Sequence, residues 1–253
     1  MLSDLFIQEV RLKAERERDE NHYPYCLPAI KNLGRLQIKA PVTFFVGENG
    51  MGKSTLLEAI AVNFGFNAEG GTRNFNFATR ASHSDLHRAL TVSKGLRPKN
   101  GYFLRAESFY NFATEVERLD EAPSYSPPLP RLIDSYGGMS LHEQSHGESF
   151  MAVMKSRFSG GGLYLLDEPE SALSPTSQMT LLALMKARTD ENAQFIIATH
   201  APILMAFPGA TIYHFSESGI AETAYKNTPH YQLTRRFLEA PEKMLDILLA
   251  DED

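Results

Sequence analysis

An α/β fold with a central, largely parallel sheet flanked by helices is the class this sequence predicts, and three observations predict it. VTFFV (42–46), LYLL (163–166) and QFIIAT (194–199) are short apolar runs without polar alternation, the pattern of strands covered on both faces. The first leads through a glycine loop into STLLEAIAVNF, where Leu56, Leu57, Ile60 and Ala61 recur at helical spacing; the second leads through carboxylates into a helix that opens at Pro175 and runs to about Arg188. With 253 residues, 43% of them apolar, the chain has the material for one large core or one and a half average domains.

The remaining elements follow in order. LFIQEVRL (5–12) alternates well enough for a strand, and RLKAERERDE balances four bases against four acids, as a solvated extension does. From Gly70 to Gly101 the chain is mixed and rich in Asn, Thr and Ser, after which GYFLRAESFYNF reads as a strand entering a helix. The proline-rich EAPSYSPPLPRL (121–132) fits neither regular helix nor central strand and reads as a surface loop. ESFMAVMKSRF is a helix stopped by the glycines at 160–162. ATIYHF and GIAETAY form a closing pair of strands, and the tail from about Tyr231 divides into two short helices. No internal repeat and no heptad run interrupts this plan.

Charge and composition narrow the function. A net charge of −6 and a pI near 5.8 argue against coating nucleic acid or an anionic membrane with the whole surface. No apolar run approaches the roughly 18 residues of a spanning helix. MLSDLFIQEV carries acids where a signal peptide has bases, so the expectation is a cytoplasmic chain with no membrane insertion. Cys26 is the single cysteine, expected as a small buried hydrophobe.

The loop after VTFFV carries the strongest chemical signal. Gly47, Glu48, Asn49, Gly50, Met51, Gly52, Lys53 and Ser54, followed by Thr55, fit G-x-x-x-x-G-K-[ST], the phosphate-binding pattern. Its glycines let backbone N–H groups and a helix N-terminus face an anion. Lys53 would reach the β- and γ-phosphates of a nucleotide, and Ser54 would ligate Mg²⁺. Asp167 and Glu168 end a buried strand where α/β sheets place ligands: Asp167 can hold the metal shell, and Glu168 can polarise a water for in-line attack. His200 leaves QFIIAT by the same exit, which suits a γ-phosphate sensor as well as a structural histidine.

With those pieces in order, QSHGESF (144–150) falls where ATP-binding-cassette ATPases carry their signature loop. The resemblance runs through GENGMGKST, QSHGES, LYLLDEPE, SALSP and ATHAP, from about Val42 to Ala201. Within that superfamily DEPESALSP and THAPILMA look like the soluble branch of RecF, SMC and OLD-type ATPases, and the chain resembles a compact bacterial group of AAA-family ATPases. The resemblance implies a P-loop NTPase head with a mixed sheet, spanning 1–253 as one ATPase domain, with a smaller helical lobe at approximately 107–160. It implies a homodimer around two ATPs with Mg²⁺, in which Ser145 and Gly147 of one chain meet the γ-phosphate held by the other, Glu168 is the catalytic base and His200 the switch histidine. Ser145 also fits an N-cap for a helix beginning near Glu148, through the S/T-x-x-E box.

Two positions depart from the family. No glutamine occurs between Gln37 and Gln144, so Arg105 or Glu107 in FLRAESF occupies the place of the lobe-boundary glutamine, and His146 replaces a customary glycine. An adenine contact by Tyr23 or Tyr25 competes with their use as packing residues. Residues 73–105 carry seven bases (Arg73, Arg80, Arg88, Lys94, Arg97, Lys99, Arg105) against Asp85, a net +6 that is either a DNA-backbone patch or a solvated balance to the acidic remainder. Transporter nucleotide-binding subunits, and ATP-gated modules that recruit a separately encoded effector protein, are the competing classes.

Overall fold

The computed structural model describes residues 4–13, 19, 21–71, 84–106, 109 and 146–250. Within them the order is β1 (Ile7–Leu12), α1 (Pro28–Lys31), β2 (Arg35–Gln37), β3 (Val42–Val46), α2 (Lys53–Phe64), α3 (Leu86–Ala89), β4 (Leu90–Lys94) and β5 (Asn100–Arg105). There follow α4 (His146–Arg157), β6 (Gly162–Asp167), α5 (Pro175–Asp190), β7 (Gln194–Ala198), α6 (Pro202–Met205), β8 (Thr211–Ser216), β9 (Gly219–Thr223), α7 (Pro229–Glu239) and α8 (Pro241–Leu248). Six strands form the main sheet in the order β5-β6-β7-β3-β8-β9, parallel except for the closing β8-β9 pair. Together with its helices and phosphate loop, this is the P-loop NTPase fold with a mixed central sheet.

Period-two geometry turns the apolar runs into two cores. On β3, Val42, Phe44 and Val46 join one apolar cluster with Tyr164 and Leu166 of β6 and Phe195 and Ile197 of β7. Phe45, Leu163, Leu165, Ile196 and Ala198 join the other, which α2 covers with Leu56, Leu57, Ile60 and Ala61. Every residue of β3 and β7 is buried, which is why the sequence shows no polar alternation there.

A second, antiparallel sheet, β2-β1-β4, lies outside the expectation from sequence. Its β2 is three residues long, and β4 sits in the Asn-, Thr- and Ser-rich stretch that masked a strand signal. Buried Gln194 ties it to the main sheet: the carboxamide oxygen accepts from the N–H groups of Phe6 and Ile7, each at 2.9 Å, and its NH₂ donates to the Ile7 carbonyl at 2.9 Å. Buried backbone groups need such partners.

Other expectations need correction. Cys26 is exposed, on a segment whose neighbours Ala29 and Ile30 do the packing. The helix expected near Glu148 is present, described from His146 to Arg157. Tyr23 does not pack; it is 61% exposed, and its hydroxyl lies 3.3 Å from Thr55 Oγ1. The proline-rich loop, Ser145, Glu107, most of the 107–160 lobe and residues 73–83 of the basic stretch lie outside the described residues. Among the described residues, no helix is long and apolar enough to cross a membrane.

Candidate nucleotide site

The phosphate loop leaves β3 with Gly47, Gly50 and Gly52 at φ of 144°, 79° and 95°. Gly47 also passes so close to β8 that a Cβ there would stand 2.2 Å from the Phe215 carbonyl oxygen. The backbone therefore demands glycine at that point, independently of any ligand. Lys53 opens α2 and is only 4% exposed, with its ammonium curled onto the loop's own carbonyls, Gly47 O at 2.7 Å and Glu48 O at 2.9 Å. Burial lowers its pKa, opposed by the carboxylates of Glu168, Asp167, Glu48 and Glu170.

Strand parity sets the opposite wall. Asp167 continues the Leu163 and Leu165 side of β6 toward α2, and Arg105 pairs with it in register from β5, on the side of Phe103. On α2, Ser54 and Glu58 are one turn apart and face these two residues. Arg105 Nη1 donates to Glu58 Oε2 at 2.9 Å, and its Nε stands 3.5 Å from Asp167 Oδ2, with side-chain exposures of 17%, 12% and 8% for Arg105, Glu58 and Asp167. Burial pushes the Asp167 carboxyl up to about 6, although a hydrogen bond from Ser54 and the charge of Arg105 pull the other way.

Glu168 adopts the left-handed conformation, φ 49° and ψ 52°, at a cost of about 1–2 kcal/mol for a residue with a Cβ. Its N–H donates to the Ala198 carbonyl at 2.9 Å, and its own carbonyl accepts from Ser171 N at 3.1 Å and Ser171 Oγ at 2.7 Å. This turn aims the carboxylate toward His200, whose Nε2 is 3.7 Å from Glu168 Oε1. A cavity of about 400 Å³ opens between Ser54, Arg105, Asp167, Glu168, Ser171 and Ala172. Buried Asp167 Oδ1 has no hydrogen-bond partner among the described residues and belongs to this wall. A buried oxygen left so is costly in itself, and with the Ser54 hydroxyl it forms the hard-oxygen donor set that suits Mg²⁺.

The fold thus brings together the phosphate loop, Ser54, Asp167, Glu168 and His200. Gly147, on the first turn of α4, lies instead against the loop after Glu168, where a Cβ would stand 3.0 Å from the Ala172 carbonyl. Arg105 faces the site and is thereby removed from the basic surface stretch, leaving Arg88, Lys94, Arg97 and Lys99 as its exposed described cations. Glu58 was missed in sequence; its place four residues after Ser54 on an amphipathic helix is the signal that marks it.

Comparison with known proteins finds P-loop ATPases of the AAA and ABC type. A family model described as "AAA domain, putative AbiEii toxin, Type IV TA system" matches residues 82–206, and a second, "AAA domain", matches residues 30–106. The ribose import ATP-binding protein RbsA of Bacillus cereus is 24% identical over 185 residues, 68% of this chain and 37% of that protein. This chain therefore spans little more than a third of the length of that relative. The arginine transport ATP-binding protein ArgV of Corynebacterium glutamicum is 23% identical over 245 residues, covering 83% of this chain and 94% of its own length. Among solved structures, the SMC head domain from Thermotoga maritima aligns with a TM-score of 0.43 and 17% identity, covering 87% of this chain and 98% of that one.

Proposed function

We propose that this chain, a P-loop ATPase of the AAA and ABC type, works as a head that binds ATP with Mg²⁺ and pairs with a second copy around two ATPs. The cycle is coupled to DNA or to a separately encoded protein, in a repair- or defence-like role. One observation carries the reading: the phosphate loop, the Asp167-Glu168 pair and His200 converge at one end of the parallel sheet. Within it, residues 1–253 are one ATPase unit with the 107–160 segment as its smaller lobe.

The division of labour follows from the chemistry of each group. Lys53 exchanges its two carbonyl partners for phosphate oxygens, so its buried ammonium gains a counter-charge. Ser54 and Asp167 would hold Mg²⁺, which would supply neutralisation of the charge on the phosphate oxygens. Glu168, fixed by its backbone bonds, accepts the proton of the attacking water, and His200 donates toward the γ-phosphate. Ser145 and Gly147 meet the γ-phosphate held by the second copy, at the N-terminus of α4 where anions are favoured. Thr55 and Tyr23, bonded to each other, stand at the outer edge of the loop, where Tyr23 offers an exposed ring to the adenine.

A transporter nucleotide-binding subunit is the second reading, favoured by the import and transport names of the curated relatives. Arg105, tied to Glu58 and Asp167 where the family resemblance expects a free glutamine, weighs against it. Phosphate release by the full chain with Mg²⁺ and ATP, alone and with duplex or single-stranded DNA, tests the proposal. Turnover stimulated by DNA and suppressed by salt supports the head reading. Turnover indifferent to DNA moves the output to a protein partner, and ATP binding without turnover moves it to a recruiting module.

A further inference from the structure

His200 has a neighbour that no motif announces. Its Nδ1 lies 3.0 Å from Nε2 of His230, with the rings edge to face at 68° and their centroids 5.1 Å apart. His230 is the second residue of α7, and the start of that helix is firmly set. Buried Thr228 accepts from Tyr231 N at 3.3 Å as the N-cap and donates to the Tyr225 carbonyl at 2.8 Å, while Tyr225 and Tyr231 pack at 4.7 Å between centroids. On the other side of its ring, buried His200 Nε2 has no hydrogen-bond partner among the described residues and faces Glu168 Oε1 at 3.7 Å. The His200 backbone N–H is held by Glu170 Oε1 at 2.5 Å.

The position of the ring is thus fixed, and the position of its proton decides what it can do. A neutral imidazole carries one N–H, so the 3.0 Å contact can run in either direction. If His200 Nδ1 donates, His200 Nε2 turns a lone pair toward the Glu168 carboxylate and the incoming phosphate. If His230 Nε2 donates, the proton of His200 sits on Nε2 and faces those anions. Among the described residues His230 Nδ1 has no partner in either arrangement and does not choose between them. The anionic side of the ring does choose.

We infer that His230 is a positioning residue, donating Nε2–H to His200 Nδ1 and so holding His200 as the Nε2–H tautomer that can hydrogen-bond a phosphate oxygen. The inference rests on the nucleotide reading of the site for its consequence, although the tautomer itself is a property of the chain alone. Burial and the neighbouring His200 lower the His230 pKa, which keeps the donor a neutral imidazole. His230 fixes a tautomer as the buried carboxylate of a serine-protease triad does, with a neutral group in its place. It also makes α7, outside the sheet and its helices, a determinant of the site.

The test uses the full chain with ¹⁵N-labelled histidine rings, whose long-range proton–nitrogen correlations report which nitrogen carries the proton. His200 is expected as the Nε2–H form in the wild type and in His230→Gln, whose carboxamide NH₂ replaces the donor. In His230→Leu, where Nδ1 has lost its donor and Glu168 alone favours the Nε2–H form, the Nε2–H fraction falls measurably. Turnover should follow: His230→Leu lowers kcat roughly tenfold to a hundredfold, the size of one hydrogen bond to a charged group, with KM for ATP nearly unchanged, and His230→Gln recovers most of it. An unchanged Nε2–H fraction at His200 in a folded His230→Leu chain overturns the inference, as does a His230→Gln chain as impaired as His230→Leu. A wild-type chain that shows the Nε2–H tautomer yet hydrolyses no ATP contradicts the ATPase reading instead.

Discussion

Asp167→Asn should make the nucleotide-free protein more stable while removing its metal-dependent turnover. The magnitude follows from the carboxyl's own proton affinity. Burial raises its pKa from an ordinary 3.8 to about 6, so the folded state binds the proton more tightly than the unfolded chain does. The sign is opposite to that of a salt-bridged aspartate: the contribution is most favourable below pH 3.8 and is lost as pH rises through 6. A shift of about two units corresponds to about 3 kcal/mol at pH 8 and, with both states partly titrated, about 1.5 kcal/mol at pH 5. Asparagine mimics the protonated form and escapes the penalty. Thermal unfolding without nucleotide should therefore show the variant more stable by roughly 6–12 °C at pH 8, with the gap closing toward pH 5. A variant less stable than wild type at pH 8, or a gap that does not change with pH, refutes the reasoning.

Other expectations follow from the same geometry. Arg105→Ala leaves Glu58 and Asp167 facing each other with little solvent, and should cost about 3 kcal/mol in urea unfolding at pH 8. In the Asp167→Asn background the same Arg105→Ala change should cost less than it does in the wild type, because one of the two facing carboxylates is already gone; an equal cost in both backgrounds contradicts the network. Gly47→Ala drives a Cβ into the Phe215 carbonyl from an unfavourable φ and should destabilise by at least about 2 kcal/mol even without nucleotide, measured by the urea midpoint. Lys53→Ala should abolish ATP binding in equilibrium dialysis while leaving the fold intact, because removing its ammonium also removes a buried charge.

Much of this was legible in the sequence, for identifiable reasons. VTFFV, LYLLD and QFIIA are buried on both faces, so their apolar runs could be read without knowing the sheet order, and each delivers functional residues at or beyond its C-terminal end. The phosphate loop is legible because its demands are local: glycines for backbone shape, one lysine, one hydroxyl. The antiparallel sheet was not legible, since β2 and β4 are short and half exposed, and the β1 strand between them is tied down by the distant Gln194 carboxamide. Arg105 was read as either a glutamine substitute or part of a basic surface. Its pairing with Glu58 and Asp167 depends on which strand lies beside β6, which sequence spacing does not state. His230 was silent for the same reason: it stands 30 residues from His200, and only the fold makes them neighbours.

In the proposed cycle two copies close around ATP and Glu168 then triggers its hydrolysis. Sedimentation of the Glu168→Gln chain with and without Mg²⁺ and ATP addresses it most directly, because the substitution keeps the turn and its backbone bonds while removing the base. A monomer without nucleotide and a stable dimer with ATP are expected, reversed when ATP is replaced by ADP. A chain that binds ATP yet sediments as a monomer at every protein concentration contradicts the cycle.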